Sequence, residues 1–223
     1  MTFEHDENAP PVNPRPILPE YEGRKGIVVD DYRALNEMGF FAQVHEAVIK
    51  TQVRYSEEAA NLSPALQRLR ELAKETHSNG KKVIFIGNGG SSAISSHMAV
   101  DWTKNGDIRS VAFNDAPTLT CLANDFGYEE VFSKQLEFYA SSGDLVIIIS
   151  SSGKSPNILK AAEQAFIQGL SLVTFSGMRP NNVLRKKGLI SFYVPALDYG
   201  IVELSHLTLL HSIVSVPFHK DSE

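Results

Sequence analysis

The sequence predicts an α/β fold, a three-layer sandwich with a five-stranded parallel sheet between helices and two further helices before it. Short apolar runs rich in β-branched residues alternate with segments of helical periodicity, and Ser-Pro pairs and glycines mark helix boundaries. The predicted strands are KVIFIG (82–87), SVAF (110–113), DLVIIIS (144–150), LSLVTFS (170–176) and ISFYVP (190–195). The helix after the third strand has the clearest signals, because Ser155 and Pro156 mark its start and Gly169 its end.

Three regions are expected along the chain. Residues 1–30 carry five prolines among acidic residues and predict an extended arm. Residues 31–80 predict two amphipathic helices. The first has apolar positions at helical spacing from about Asp31 to Tyr55, and the second begins at Ser63-Pro64 and ends at Gly80. Residues 81–218 predict the α/β domain.

The composition favours a cytoplasmic protein with neither a nucleic-acid nor a membrane partner. The chain has 223 residues and a formal net charge of -5, which argues against a polyanion-binding surface. Its one cysteine, Cys121, excludes an internal disulfide framework and suits a reducing compartment. No uninterrupted apolar run of about 18 residues is present to cross a bilayer.

Two polar loops follow strands of the predicted sheet. Gly87-Asn88-Gly89-Gly90-Ser91 follows the first strand, and Ser150-Ser151-Ser152-Gly153-Lys154-Ser155 follows the third. Ligands of parallel sheets bind at the carboxyl ends of strands, where helix N-termini favour anions. Hydroxyl and backbone donors in both loops therefore predict a site for a phosphorylated ligand.

Other interpretations of these loops compete with that one. A Walker A loop is excluded because Ile148 stands where its first glycine belongs, five positions before Gly153. A dinucleotide fingerprint is partly met by Gly87 and Gly89, with Asp115 near enough for a ribose, but it leaves the serine loop unexplained. Each loop alone is also compatible with a tight turn. Their occurrence at two strand ends favours a sugar phosphate.

A histidine and carboxylate set is the second candidate feature. His97 and Asp101 lie at i and i+4 on one helix face, a spacing that suits two metal ligands, a base with its partner, or a surface contact. The last helix adds Glu203, His206 and His211 among leucines, and His206 is expected in the core. Glu203 and His211 are roughly 12 Å apart along the helix. Spacing alone leaves their roles open.

From about Lys81 to Pro217 the chain resembles the sugar isomerase (SIS) domain family, and within it the phosphoheptose isomerases. The stretches that carry the resemblance are GNGGSS with His97 after it, LTCLANDFGYEEVFSKQ, GDLVIIISSSGKSPNILKAAE and the closing helix. The resemblance implies a flavodoxin-like SIS fold and a homotetramer built on the N-terminal helices. It implies conversion of sedoheptulose 7-phosphate to D-glycero-D-manno-heptose 7-phosphate through an enediol. The alternative is a non-catalytic SIS protein that binds a sugar phosphate or a protein partner.

The resemblance also implies roles for individual residues. Asp101 and His211 would be catalytic. Zinc, or another divalent metal, would be held by His97, Asp101, Glu203 and His211. The implied substrate contacts are Asn88, Gly89, Gly90, Ser91, Asn124, Asp125, Ser150, Ser151, Ser152, Ser155 and Glu203.

Four positions depart from the family's usual pattern. Asp101 stands where the family has glutamate and Glu203 where it has glutamine, while Lys154 replaces asparagine and Gly200 a nearby aspartate. The shorter carboxylate at Asp101 matters most, because a shift of about 1 Å in a reacting group costs roughly a hundredfold in rate. These changes motivate the non-catalytic alternative, and the presence of both His97 and His211 favours the enzyme.

Overall fold

The computed structural model describes residues 36–56 and 58–216, so the predicted arm at 1–30 lies outside the described residues. The helices are α1 (Glu37–Ile49), α2 (Leu62–Ser78), α3 (Gly89–Lys104), α4 (Ala116–Phe126), α5 (Val131–Tyr139), α6 (Pro156–Ile167) and α7 (Tyr199–Ser215). The strands are β1 (Gln52–Tyr55), β2 (Glu58–Ala60), β3 (Val83–Gly87), β4 (Ser110–Ala112), β5 (Leu145–Ser150), β6 (Ser171–Ser176) and β7 (Ile190–Tyr193). Short 3-10 turns lie at Tyr128–Glu130 and Leu184–Lys186.

The strands form one mixed sheet of seven strands in the order β2-β1-β7-β6-β5-β3-β4. Five neighbouring strands pair in parallel and coincide with the five predicted runs; they are β7, β6, β5, β3 and β4. Strand β1 pairs antiparallel with both β7 and β2. The prediction of a five-stranded, purely parallel sheet was therefore wrong, because the antiparallel hairpin β1-β2 extends the sheet beyond β7.

That hairpin also corrects the first predicted helix, which was expected to reach Tyr55. Helix α1 ends at Ile49, and residues 52–55 form a strand in which Val53 lies opposite Phe192 of β7 and is 4% exposed. Pairing with a distant strand outweighs the local helical pattern. Helix α2 begins with Asn61 as its N-cap, so Pro64 lies in its first turn, where the missing N–H has no helical partner to lose.

The core lies on both faces of the central strands. In β3, Phe85 faces the layer of α1, α2, α3 and α7, whereas Ile84 faces the layer of α4, α5 and α6. The ring of Trp102 packs edge-on against Phe85 with centroids 5.1 Å apart, which fixes α3 on the sheet. Across 36–56 and 58–216, no helix is long and apolar enough to span a bilayer.

Candidate active site

The two predicted loops lie side by side at the carboxyl edge of the sheet. Strands β3 and β5 are neighbours in register, with Gly87 opposite Ile149. Asn88 is the N-cap of α3 and Ser155 is the N-cap of α6, so both helices begin at this edge. Two helix N-termini with their unpaired N–H groups therefore converge where the sequence predicts an anion.

The serine loop contains an unpaired buried hydroxyl. Ser150 and Ser151 are both buried, and the Ser150 Oγ accepts a hydrogen bond from the Gly153 N–H at 3.2 Å. The Ser151 Oγ has no hydrogen-bond partner among the described residues. Gly153 has φ +60°, and a Cβ there would lie 2.2 Å from the Asn182 Oδ1, so the turn needs glycine. Buried hydroxyls are normally bonded, so Ser151 is a candidate ligand contact.

The predicted substrate residues occupy different parts of this edge. Gly89 is exposed with φ +54°, and Ser91 is buried in the first turn of α3. Ser152 and Ser155 are half-buried on the serine loop, beside the exposed Lys154. Their placement agrees with a polar rim around the two helix N-termini.

Glu203 lies against the first loop. A Cβ on Gly90 would be 2.4 Å from the Glu203 Oε2, so the absence of a side chain at Gly90 lets α7 place a carboxylate there. Burial, and then the negative charge of Asp198, raises the pKa of Glu203. Asp198 is held at the start of α7, where its Oδ1 accepts from the Ile201 N–H at 2.9 Å.

The catalytic candidates meet farther along the same two helices. The His97 Nε2 and His211 Nε2 atoms are 3.1 Å apart, and the Asp101 Oδ2 lies 3.3 Å from the His211 Nδ1. The other Asp101 oxygen accepts a hydrogen bond from Asn105. Because α3 meets α7 at Gly90 and again at His97, seven residues on, the two contacts are roughly 10 Å apart along α3.

The predicted metal set comes together only in part. Two nitrogen ligands of a tetrahedral zinc ion are separated by roughly 3.3 Å, which the two Nε2 atoms approach. Asp101 contacts the opposite nitrogen of His211, and Glu203 lies two turns away beside Gly90. Between Asn36 and Val216, leaving out residue 57, no three His, Cys, Asp or Glu residues are arranged to hold an ion. Two of the four residues fit a shared metal, and the complete set stays a prediction.

Asn124 and Asp125 are exposed at the end of α4. The Asn124 Nδ2 donates to the Asp125 Oδ1 at 2.9 Å, and the Cys121 Sγ lies 3.7 Å from the Asp125 Oδ2. In the part of the chain that the structure describes, no hydrogen bond links this pair to either loop. Asp115, which a dinucleotide site would need for a ribose, caps α4 through the Thr118 N–H and hydroxyl, which lower the pKa of Asp115.

Two residues at this edge were missed from the sequence. Asn157, in the first turn of α6, and Tyr128 both hydrogen-bond the side chain of Asn88. Tyr128 belongs to LANDFGYEEVF, a stretch that carried the resemblance without a role for its tyrosine. Asn157 follows Ser155-Pro156, so a polar side chain in the first turn of a predicted helix was the sequence signal that could have indicated it.

These features define an α/β protein with a small-ligand site at the carboxyl edge of a mostly parallel sheet, next to an imidazole and carboxylate pair. The SIS domain family model matches residues 48–177. The phosphoheptose isomerase of Fusobacterium nucleatum subsp. nucleatum is 33% identical over 172 residues, which cover 75% of this chain and 86% of that protein. The phosphoheptose isomerase of Campylobacter concisus is 34% identical over 162 residues, or 70% and 85% of the two chains.

A solved structure agrees with these relatives. Phosphoheptose isomerase GmhA from Neisseria gonorrhoeae superposes with a TM-score of 0.67 at 26% identity, covering 79% of this chain and 94% of that one. The chain therefore belongs to the SIS domain family and, within it, to the phosphoheptose isomerases. The resemblance found from the sequence is confirmed.

Proposed function

We propose that this chain is an isomerase that interconverts sedoheptulose 7-phosphate and D-glycero-D-manno-heptose 7-phosphate. The observation that carries the proposal is the contact between Asp101 and His211, on the face of α3 that begins at Gly90 in the first substrate loop. Asp101, which would take part in proton transfer with His211 of α7, thus lies on the same face of α3 as Gly90 of the loop that would bind the sugar. The phosphoheptose isomerase relatives support the same reaction.

The serine loop would hold the phosphate. Hydroxyls around the N-terminus of α6 would come from Ser150, Ser151, Ser152 and Ser155, and no described residue bonds to the buried Ser151 Oγ. The helix N-terminus adds a partial positive charge. Binding energy from this remote group would position the carbons at the other end of the sugar.

Asp101 and His211 would carry the proton transfers. Asp101 removes a proton from C1 of the ketose, and the electron pair forms the C1–C2 double bond of the enediol. Return of a proton to C2, with transfer of a hydroxyl proton from O1 to O2 by His211, gives the aldose. Atoms and electrons balance without an oxidant. The contact with His211 keeps the two groups close enough to exchange protons.

The first loop and its neighbours would hold the sugar. Asn88, Gly89, Gly90 and Ser91 offer backbone and side-chain groups at the start of α3, and Glu203 lies directly against Gly90. Burial, more than the negative charge of Asp198, raises the pKa of Glu203, and its carboxyl oxygens would accept hydrogen bonds from sugar hydroxyls. Asn124 and Asp125, exposed on α4, would bind sugar hydroxyls.

We also propose a divalent metal, with zinc as the first candidate. It would be held by His97, Asp101, Glu203 and His211, and the two imidazoles of this set already lie in contact. A bound ion would supply positive charge that stabilises developing negative charge on the sugar oxygens. Dialysis against a chelator followed by metal analysis tests binding directly.

A homotetramer and a cytoplasmic location complete the proposal. Helix α1 leaves three large apolar side chains exposed, Met38 at 71%, Phe41 at 60% and Ile49 at 61%, as expected of a surface that packs on another copy. The single cysteine suits a reducing compartment. Light scattering after size exclusion measures the mass, and a monomer at micromolar concentration would contradict the assembly.

The test is turnover of sedoheptulose 7-phosphate in D2O, followed by NMR for deuterium incorporation at the carbons next to the carbonyl. We expect product with deuterium at C2, and no exchange into unphosphorylated sedoheptulose. Parallel reactions with and without chelator test the metal. A non-catalytic SIS protein would show a thermal shift with the sugar phosphate and no deuterium incorporation, and that result would refute the isomerase.

A further inference from the structure

The side chain of Asn88 is held by two residues outside the first loop. Its Nδ2 donates to the Asn157 Oδ1 at 2.9 Å, and its Oδ1 accepts from the Asn157 Nδ2 at 3.0 Å, which makes a cyclic amide pair. The Tyr128 hydroxyl donates to the same Asn88 Oδ1 at 3.3 Å. Asn88 is an N-cap whose side chain makes no capping bond, so its amide is committed to this pair instead.

Counting hydrogen-bond capacity shows what is left for a ligand. A side-chain amide has two lone pairs on oxygen and two N–H groups. Both lone pairs of Asn88 are occupied, by Asn157 and Tyr128, and one N–H is used by Asn157. One N–H remains. Asn88 can therefore meet the sugar as a donor only.

The two holding residues are themselves fixed. Asn157 is 2% exposed, and its Oδ1 also accepts from the Ile158 N–H at 3.0 Å, which sets the amide orientation. Tyr128 begins a turn that is tied to α6, because Lys160 bonds to Glu129 at 2.9 Å and also to Glu130. The pair thus links the loop after β3 to the helix that follows the serine loop.

We propose that Asn157 and Tyr128 are positioning residues that fix Asn88 as a hydrogen-bond donor to an acceptor oxygen of the sugar. They also keep the sugar loop at a set distance from the phosphate loop. Neither residue needs to touch the substrate. The inference deepens the proposed function and rests on it for the identity of the sugar.

The activity test is a double-mutant cycle through Asn88. Tyr128→Phe removes one hydroxyl from an exposed side chain and should lower kcat/KM for sedoheptulose 7-phosphate about fivefold, mainly through KM; Asn157→Ala should cost about tenfold. In an Asn88→Ala background each change should cost less than about twofold, because the group that they position is gone. A merely structural role would give the same loss in both backgrounds and would overturn the inference.

Melting temperatures separate this inference from the proposed function. Tyr128→Phe should lower Tm by about 2 °C in the natural chain and by less than half of that with Asn88→Ala. The matched control is Tyr139→Phe. Tyr139 is an exposed tyrosine of α5 whose ring contacts Phe113 and Phe138, and its replacement should change neither Tm nor turnover. If the natural chain does not turn over the sugar, the proposed function fails. The double-mutant cycle in Tm would still show whether Tyr128 acts through Asn88. Equal Tm losses in both backgrounds would refute it.

Discussion

His97 and His211 face each other between α3 and α7, with their Nε2 atoms 3.1 Å apart and Asp101 on the far nitrogen of His211. Each helix supplies one imidazole, and α3 also supplies the carboxylate. Asp101 therefore contacts His211 directly, in addition to its hydrogen bond with Asn105. Although its side chain is one methylene shorter than that of a glutamate, Asp101 reaches the ring of His211 from the turn of α3 after His97.

Asp101→Asn should lower kcat by about 10²- to 10⁴-fold while sugar-phosphate binding persists, because the amide cannot take a proton. Steady-state kinetics with sedoheptulose 7-phosphate and a thermal shift with the same ligand measure the two effects. Asp107→Asn is the matched control, since Asp107 is exposed at φ +50°, a conformation that asparagine tolerates. An Asp101→Asn enzyme with more than a tenth of the original kcat would exclude a catalytic Asp101.

Ser151→Ala should weaken binding of inorganic phosphate about tenfold with little change in Tm, because the buried Ser151 Oγ has no hydrogen-bond partner within 36–56 and 58–216 to lose. Calorimetry and thermal melting measure the two quantities. Ser191→Ala should show the opposite pattern, since the buried Ser191 Oγ donates to the Arg185 carbonyl at 2.8 Å. A Ser151 variant that loses stability but binds phosphate normally would remove Ser151 from the phosphate site.

Arg70→Met should destabilise the protein by about 2 kcal/mol, since the buried guanidinium donates to two carbonyls at the end of α7. Its Nε lies 2.7 Å from the Ile213 carbonyl and its Nη2 lies 2.8 Å from the Ser212 carbonyl, next to His211. Arg68→Met, on the same helix, removes an ion pair with Glu75, a contact with Glu71 and a hydrogen bond with Tyr55, all at the surface, and should cost less than about 1 kcal/mol. Urea unfolding measures the free energy of unfolding of both variants. Equal losses would contradict the expectation that the two carbonyl contacts of Arg70 stabilise the fold.

His206 should make the fold sensitive to acid. It is 0% exposed, its Nε2 lies 3.1 Å from the Ser176 carbonyl, and burial lowers the pKa of His206 to about 4. The unfolded chain binds this proton below about pH 6.5 and the folded chain does not, so stability is complete above pH 6.5 and falls as the pH drops toward 4. The loss is about 3 kcal/mol for this group.

Urea unfolding at several pH values checks that slope. His206→Phe should be less stable at pH 7, because the Ser176 carbonyl keeps the Val194 N–H but loses the imidazole, and its stability should change less between pH 6.5 and 4. His45→Gln, at an exposed position of α1, should keep the original slope. The assignment would fail if His206→Phe and the natural chain lost stability equally over this range.

Local patterns predicted the elements that carry the site. Four of the five parallel strands, β3, β5, β6 and β7, are mainly apolar runs because both of their faces are buried, and Ser155-Pro156 marks the start of α6 correctly. The predicted end of the first helix was wrong, because the residues that continue its periodicity pair with β7 instead. Which partner a short segment finds depends on residues far away in the chain, and no local period records it.

The sequence by itself determined the order of strands and helices, the two polar loops and the chemical groups around them, since periodicity and capping act within a few residues. Only the tertiary structure decided which of those groups meet. Sequence spacing left Glu203 and His211 about two turns apart with no stated partner; packing places one on Gly90 and the other on His97. The amide pair of Asn88 and Asn157 has the same origin. Contacts between helices depend on their relative register, which is fixed by core packing such as that of Trp102 on Phe85 and not by either helix alone.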